Sequence, residues 1–484
     1  MKKNYLFGLI AIFIIFMHFE GFLKLFFDYS PLVHGLKYVF AAVFFIIWII
    51  NLKNYKYPPI SYLILLFSIF VFIQFLNPLM WSKGGFLLSM LGLFYYLSFI
   101  PLFFIVYNTF DKKKIHFLMF LIIFLATLSA LFSYFQFSLG VPNYLNFMPY
   151  SATDFVVSHA AAYGPIAFDL IPPFFWYLSG MIFCLYFYFL GKNRFFSFLL
   201  AINLFTAILL TGLRSGILLS FISLLIFFIF RINQTLEKRN IKKLLILFLV
   251  IVLVFSFIFA NLNDYQINRY LDLKNPIHSY FEKRGFTWSN SLELVKTYPL
   301  GAGLRHAGII PSSEFGVPPI TLYAGDNYFN IVLSELGIFG LISLLLLFYF
   351  SIKEVLINYF GSKFFEERLK IATFFSLIMP MIILTIFGNP YGFLFWIFLG
   401  VLIKPLELEN SSLDKNNKMV ASSKIAFSVR ALFRGSFFKK TLFNNFVYPI
   451  ILAIKNSQIS RLFLKVYSIL VRSFSIKFFK RITD

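Results

Sequence analysis

Residues 115–137 read IHFLMFLIIFLATLSALFSYFQF, directly preceded by Lys112, Lys113 and Lys114. The run carries no Asp, Glu, Lys or Arg. It is long enough to cross a bilayer, which takes about 20 apolar residues in a helix. The three lysines mark the side from which it starts, because short loops on the cytoplasmic side hold an excess of Lys and Arg.

The pattern recurs along the chain. Comparable runs cover 5–19, 34–51, 60–80, 85–108, 171–190, 195–212, 214–230, 243–260, 327–350, 370–388 and 391–404. The adjacent runs 195–212 and 214–230 are short enough to be read also as one broken or re-entrant element. With 115–137 they predict an all-α integral membrane protein of about 12 transmembrane helices. Composition agrees: 60% of the 484 residues are hydrophobic, 72 are Phe, only 13% are charged, and the mean hydropathy is +0.82. Soluble domains are about 45–50% apolar and about 25% charged.

Cations alternate between the loops. Lys53 and Lys56, Lys112 to Lys114, Lys192 and Arg194, Arg231 to Lys243, and Lys353 to Arg368 fall on one side. Segment 138–170, on the other, has no Lys or Arg. Both termini are therefore expected in the cytoplasm. Lys2-Lys3 and the first apolar run look like a leader, but no small-residue cleavage site follows before Met17-His18-Phe19-Glu20, so the run is expected to be an uncleaved span. Cys184 is the single cysteine and excludes an intramolecular disulfide.

The chain divides into a membrane domain, 1–404, and a tail, 405–484. External segments 138–170 and 261–326 are long enough to fold. From 411 onward the tail holds 14 Lys and Arg against Asp414 and Asp484. Cations interleave with Phe and Leu at helical spacing, as in Ser423 to Arg434. Such helices lie on anionic lipid, so membrane lipid, rather than nucleic acid, is the expected partner.

Three constellations could carry chemistry. The first, Thr211-Gly212-Leu213-Arg214-Ser215-Gly216, sets an arginine at the outer end of a span. That is costly unless the side chain reaches the interface or meets an anion. Gly216, Ser220 and Ser223 then form a stripe suited to helix packing. The second spans Glu282-Lys283-Arg284-Gly285-Phe286-Thr287-Trp288 and Pro299-Leu300-Gly301-Ala302-Gly303-Leu304-Arg305-His306. Guanidinium groups on the cation-poor side suit phosphate, whose oxygens they bind in pairs. Segment 261–325 nonetheless carries six cations against five anions, so a solvated, balanced loop stays open. The third is Ala324-Gly325-Asp326-Asn327-Tyr328, leading to Ser334-Glu335-Leu336-Gly337. Asn327, Asn330 and Ser334 share a helical face with Glu335 at its edge; Asp326 also suits a helix N-cap. Gly337 and Gly340 suit close helix packing. No His, Asp and Glu cluster has metal-ligand spacing, and neither a Walker A sequence nor Gly-x-Ser-x-Gly occurs.

Taken in order, these motifs resemble the core region of the bacterial O-antigen polymerase (Wzy) and O-antigen ligase superfamily, over about residues 200–350. Leu210 to Gly216 resembles its opening helix junction. Arg284 to Trp288 with Pro299 to Gly303 resembles its large periplasmic loop. Gly325-Asp326-Asn327-Tyr328 with Glu335-Leu336-Gly337-Ile338-Phe339-Gly340-Leu341 resembles its closing motif. The resemblance implies a glycosyltransferase of the GT-C type in the bacterial cytoplasmic membrane. Its substrates would be undecaprenyl-pyrophosphate-linked glycans at the outer face, handled without cofactor, metal or ATP.

Carried over by position, Arg214 and Arg284 match arginines implicated in binding the donor pyrophosphate; Arg305, whose charge could help neutralise it, and Asn327 are the further substrate-binding candidates. Asp326 stands where the ligase branch commonly has a histidine, which suits the polymerase branch. Segment 138–170 lacks the arginines some polymerases carry there, so a handover of substrate between two loops is not supported. Asp326 and His306, with Glu335 behind them, are the candidates for the base that deprotonates the acceptor hydroxyl. A chain-length regulator is a further partner to test. An O-antigen ligase is the nearest alternative. A flippase or transporter is the rival of another class, though these usually lack a folded external loop and often show related halves.

Overall fold

The computed structural model describes residues 3–27, 31–77, 83–139, 171–211, 214–232, 276–304, 328–362, 364–383 and 392–405. These residues form thirteen helices and no strand. The helices are α1 (Lys3–Phe26), α2 (Pro31–Ile50), α3 (Ser61–Phe75), α4 (Lys83–Leu97), α5 (Ile100–Thr109), α6 (Lys112–Leu139) and α7 (Ile171–Leu190). They continue with α8 (Arg194–Leu210), α9 (Arg214–Ile232), α10 (Pro276–Thr297), α11 (Tyr328–Gly361), α12 (Phe365–Ile383) and α13 (Gly392–Ile403). The expected span 243–260, segment 140–170 and the tail from 406 onward lie outside the described residues.

Every other expected span falls on a helix. Four helical stretches, Asn4–Leu23, Gly85–Thr109, Lys112–Phe135 and Tyr328–Gly361, are long and apolar enough to cross a membrane, and six further apolar helices are shorter. The chain is thus a helical membrane protein by length and composition.

Two boundaries differ from expectation for physical reasons, and a third reading is decided. Helix α1 runs on to Phe26 rather than ending near residue 19, because Glu20 does not face lipid. It accepts a bond of 2.9 Å from the Lys37 ammonium on α2, and both side chains are buried, so the charge is neutralised inside the bundle. Run 85–108 is two helices, with Pro101 in the first turn of α5, where its missing N–H costs nothing. The adjoining runs 195–212 and 214–230 are separate helices with different neighbours: α8 lies on α6 and α7, and α9 lies mainly on α12.

The bundle is built around α5 and α13. Every residue from Gly392 to Ile403 is buried, as expected of a helix apolar on all sides. Phe13 joins it to the outer helices, with ring centroids 5.1 Å from Phe393 and 5.3 Å from Phe44. In lipid, where apolar burial drives helix association little, such packing and polar contacts hold helices together.

One end of the bundle is laced by polar groups. Lys56 N–H donates to Asn108 Oδ1 at 2.7 Å. Glu366 pairs with Lys112 and lies 3.2 Å from His116 Nε2. Lys370 pairs with Glu367 at 2.8 Å and donates to the Lys404 carbonyl at 2.6 Å. The loops meeting here belong to the cation-rich side of the alternation.

Candidate functional site

The site grows from helix α10, within the segment expected to be a long external loop. Pro276 opens the helix, where proline is tolerated, and Tyr298-Pro299-Leu300-Gly301 follows its end, where Pro and Gly cannot continue it. Thr287, Ser291 and Leu294 form its buried face at i, i+4, i+7, while Leu292 on the far side is exposed. The helix is amphipathic and lies along the first turns of α11. Arg284 occupies the position one turn ahead of Thr287 in this helix.

Thr287 connects the two helices: Asn330 Nδ2 donates to its Oγ1 at 3.3 Å, with both residues buried. Asn330 lies three residues after Asn327 and four after Asp326, so the closing motif leads straight into this contact.

Below it, α11 is interrupted. Gly337 has φ +70° and ψ −169°, outside helical geometry. An interrupted helix leaves carbonyls without partners, and at membrane depth each must be satisfied by protein. Residues 299–303 satisfy them. Ala302 N–H donates to the Ser334 carbonyl at 2.8 Å, Gly303 N–H to the Glu335 carbonyl at 3.3 Å, and Ile338 N–H to the Pro299 carbonyl at 3.2 Å. The two segments therefore pair backbone to backbone.

This contact requires Gly301 and Gly337. Both have positive φ. A Cβ on Gly301 would stand 2.4 Å from the Glu335 carbonyl oxygen, and one on Gly337 would stand 2.4 Å from the Leu300 carbonyl carbon. The end of α3 and the residues just after it brace the same segment. Gln74 Nε2 donates to the Leu300 carbonyl, and Asn77 Nδ2 donates to the Gly301 carbonyl at 3.3 Å.

The side chain of Glu335 is wholly buried. Tyr96 on α4 donates its hydroxyl to Glu335 Oε2 at 2.8 Å. The Tyr328 and Tyr95 rings lie 5.8 and 5.5 Å from that of Tyr96. Glu335 is thus gripped from the bundle side, beneath the segment that carries Gly301.

The structure brings together the helix of Arg284 and the helix of Glu335. Arg214 is the first residue of α9. The stripe that follows it behaves as expected: Ser220 and Ser223 are fully buried, and α9 packs on α12. Arg305, His306, Asp326 and Asn327 lie outside the described residues. Among the described residues no group of His, Cys, Asp and Glu could hold a metal.

Sequence reasoning missed α10, Tyr96 and the Gln74–Asn77 brace. The spacing of Thr287, Ser291 and Leu294 was a signal for the helix. Gln74 and Asn77, polar residues near the end of an apolar run, were a signal for the brace. Nothing local marks Tyr96 as a partner for a residue 239 positions away.

Residues 195–345 match the model of the family described as O-antigen ligase, Wzy_C. The match runs from the start of α8 into α11 and so contains both the Gly301 segment and the Gly337 break. Neither the curated proteins nor the solved structures give a match.

Proposed function

We propose that this chain, whose residues 195–345 place it in the O-antigen ligase and polymerase superfamily, is the polymerase of a lipid-linked polysaccharide repeat unit. As a membrane enzyme of this type it acts on lipid-linked glycans. In our reading it transfers an undecaprenyl-pyrophosphate-linked glycan onto a second lipid-linked repeat unit at the outer face of the cytoplasmic membrane, using neither metal nor ATP. Both termini lie inside, and the basic tail rests on anionic lipid.

The observation that carries this reading is the Thr287–Asn330 contact. It sets the helix that carries Arg284 against the first turns of α11, which follow Asp326 and Asn327 in the sequence, and this supports a phosphate-binding cation and a carboxylate acting from neighbouring elements. A lipid-linked pyrophosphate is pinned at the membrane surface, so in this reading the contact lies at that level.

The acceptor hydroxyl oxygen attacks C1 of the donor sugar as its bond to pyrophosphate breaks and C1 inverts. Arg284, with Arg214 and Arg305, stabilises the negative charge growing on the departing pyrophosphate. Asp326 or His306 takes the hydroxyl proton, and Asn327 holds the substrate. Glu335 fixes the outer turns of α11 through Tyr96.

The family description favours a second reading, a ligase that passes the finished glycan to a lipopolysaccharide core. Asp326, where that branch commonly has histidine, favours the polymerase. Purified protein should be given lipid-linked repeat units with and without lipid A core. A polymerase extends the units in both mixtures. Attachment to the core without extension would establish the ligase, and movement of intact units across a bilayer without any new bond would establish a flippase.

A further inference from the structure

Within membrane helices a serine hydroxyl usually donates to the carbonyl about one turn back, as Ser220, Ser291, Ser343 and Ser351 do here. Ser334 does not. Its Oγ is buried with no hydrogen-bond partner, and so is Asn330 Oδ1 one turn earlier on the same face. Both residues are at most 1% exposed. An unpaired buried polar atom destabilises a fold, so two of them side by side need a reason. Their surroundings suggest one. Asn330 already reaches Thr287, one turn beyond Arg284, and the Ser334 backbone carbonyl is occupied by Ala302.

From this we infer that Asn330 and Ser334 form a sugar subsite, which takes hydroxyls of the glycan residue next to the pyrophosphate. One atom accepts and the other can donate or accept, a pairing that suits neighbouring hydroxyls and offers no charge to a phosphate. Arg284 holds the pyrophosphate, and this pair, one turn deeper, reads the sugar. Specificity follows, because a sugar that fails to fill the subsite leaves these atoms unpaired. The inference rests on the proposed transferase reading.

The test uses full-length protein in nanodiscs and two probes: sugar-free undecaprenyl pyrophosphate, and the lipid-linked repeat unit extracted from source cells lacking this protein. Ser334→Ala should raise the melting temperature of ligand-free protein by about 1–2 °C, because it removes an unpaired group. It should weaken binding of the glycan-bearing lipid about threefold to tenfold and leave sugar-free lipid unchanged. Asn330→Leu should act in the same direction on binding; if it fails to fold, Ser334→Ala alone decides. No rise in melting temperature would show that the hydroxyl already has a partner and would overturn the subsite. Unchanged glycan binding, or equal weakening for both lipids, would overturn it too. In both cases wild-type preference for the glycan-bearing lipid would leave the transferase reading standing. Wild-type protein that binds neither lipid would overturn that reading and the subsite with it.

Discussion

Gly301 and Gly337 face each other so closely that a Cβ on either would run into the backbone of the other's segment, including the other glycine's nitrogen. Between them they join residues 299–303, 38 to 34 positions earlier in the chain than Gly337, to a helix that would otherwise run unbroken. The carbonyls freed at Ser334 and Glu335 are the ones that Ala302 and Gly303 engage. The interruption and its repair are one feature.

Substitution at either glycine should therefore undo both. Gly337→Ala and Gly301→Ala each force a Cβ against backbone at positive φ, beyond the roughly 1 kcal/mol that the conformation alone costs. Both variants should melt several degrees below wild type and lose transfer activity. Gly8→Ala, in α1 with nothing within 4 Å of the added carbon, should melt at or above the wild-type temperature. Thermal unfolding of the three purified proteins checks this, and equal melting of Gly337→Ala and wild type would refute it.

A second prediction concerns Glu335 and Tyr96. If Glu335 positions α11 by accepting from Tyr96, the amide oxygen of Glu335→Gln can still accept. That variant should keep activity within about tenfold of wild type, while Glu335→Leu, leaving the tyrosine hydroxyl buried without its acceptor, should lose about 1–3 kcal/mol of stability. Tyr96→Phe, which removes the donor from the buried carboxylate, should be destabilised like Glu335→Leu rather than resemble Glu335→Gln. Turnover by normally abundant Glu335→Gln decides the matter: none at all would make Glu335 the proton acceptor.

These two cases show how much of the site the sequence discloses. Gly337 was readable as a close-packing position, and the polar face of Asn330 and Ser334 followed from helical spacing. The segment Gly337 meets is 299–301 rather than a helix, however, and the neighbour of Gly340 is Leu336 of its own helix. The placement of eleven expected spans on helices followed from hydropathy, which works because lipid forces backbone groups into helices. Tyr96 was not readable, since a buried tyrosine in a Phe-rich run looks like core until its partner is known. Helix α1 was cut short at Glu20 because sequence could not show Lys37 waiting on α2. Helix α10 was hidden by its low hydrophobicity, which in a membrane protein resembles loop.

Orientation gives a third prediction. The polar end of the bundle gathers the loops that charge alternation assigns to the cytoplasm, including Lys56, Lys112 and Lys370. In a Cys184→Ser background, which removes only a buried thiol, a cysteine at 310 should react with an impermeant thiol reagent on intact cells. A cysteine at 415 should react only after lysis. Labelling of 415 from outside would reverse the assignment.

The account stands most directly on Arg284, one turn ahead of Thr287 in the helix that meets α11. If its guanidinium grips pyrophosphate through two parallel bonds, an ammonium cannot replace it. Losing such a contact should cost about 2–4 kcal/mol of transition-state stabilisation, or roughly thirtyfold to a thousandfold in rate. The decisive measurement is the length distribution of glycan made by cells carrying Arg284→Lys at normal protein abundance. The account predicts single, unpolymerised repeat units; a ladder of wild-type length would contradict it.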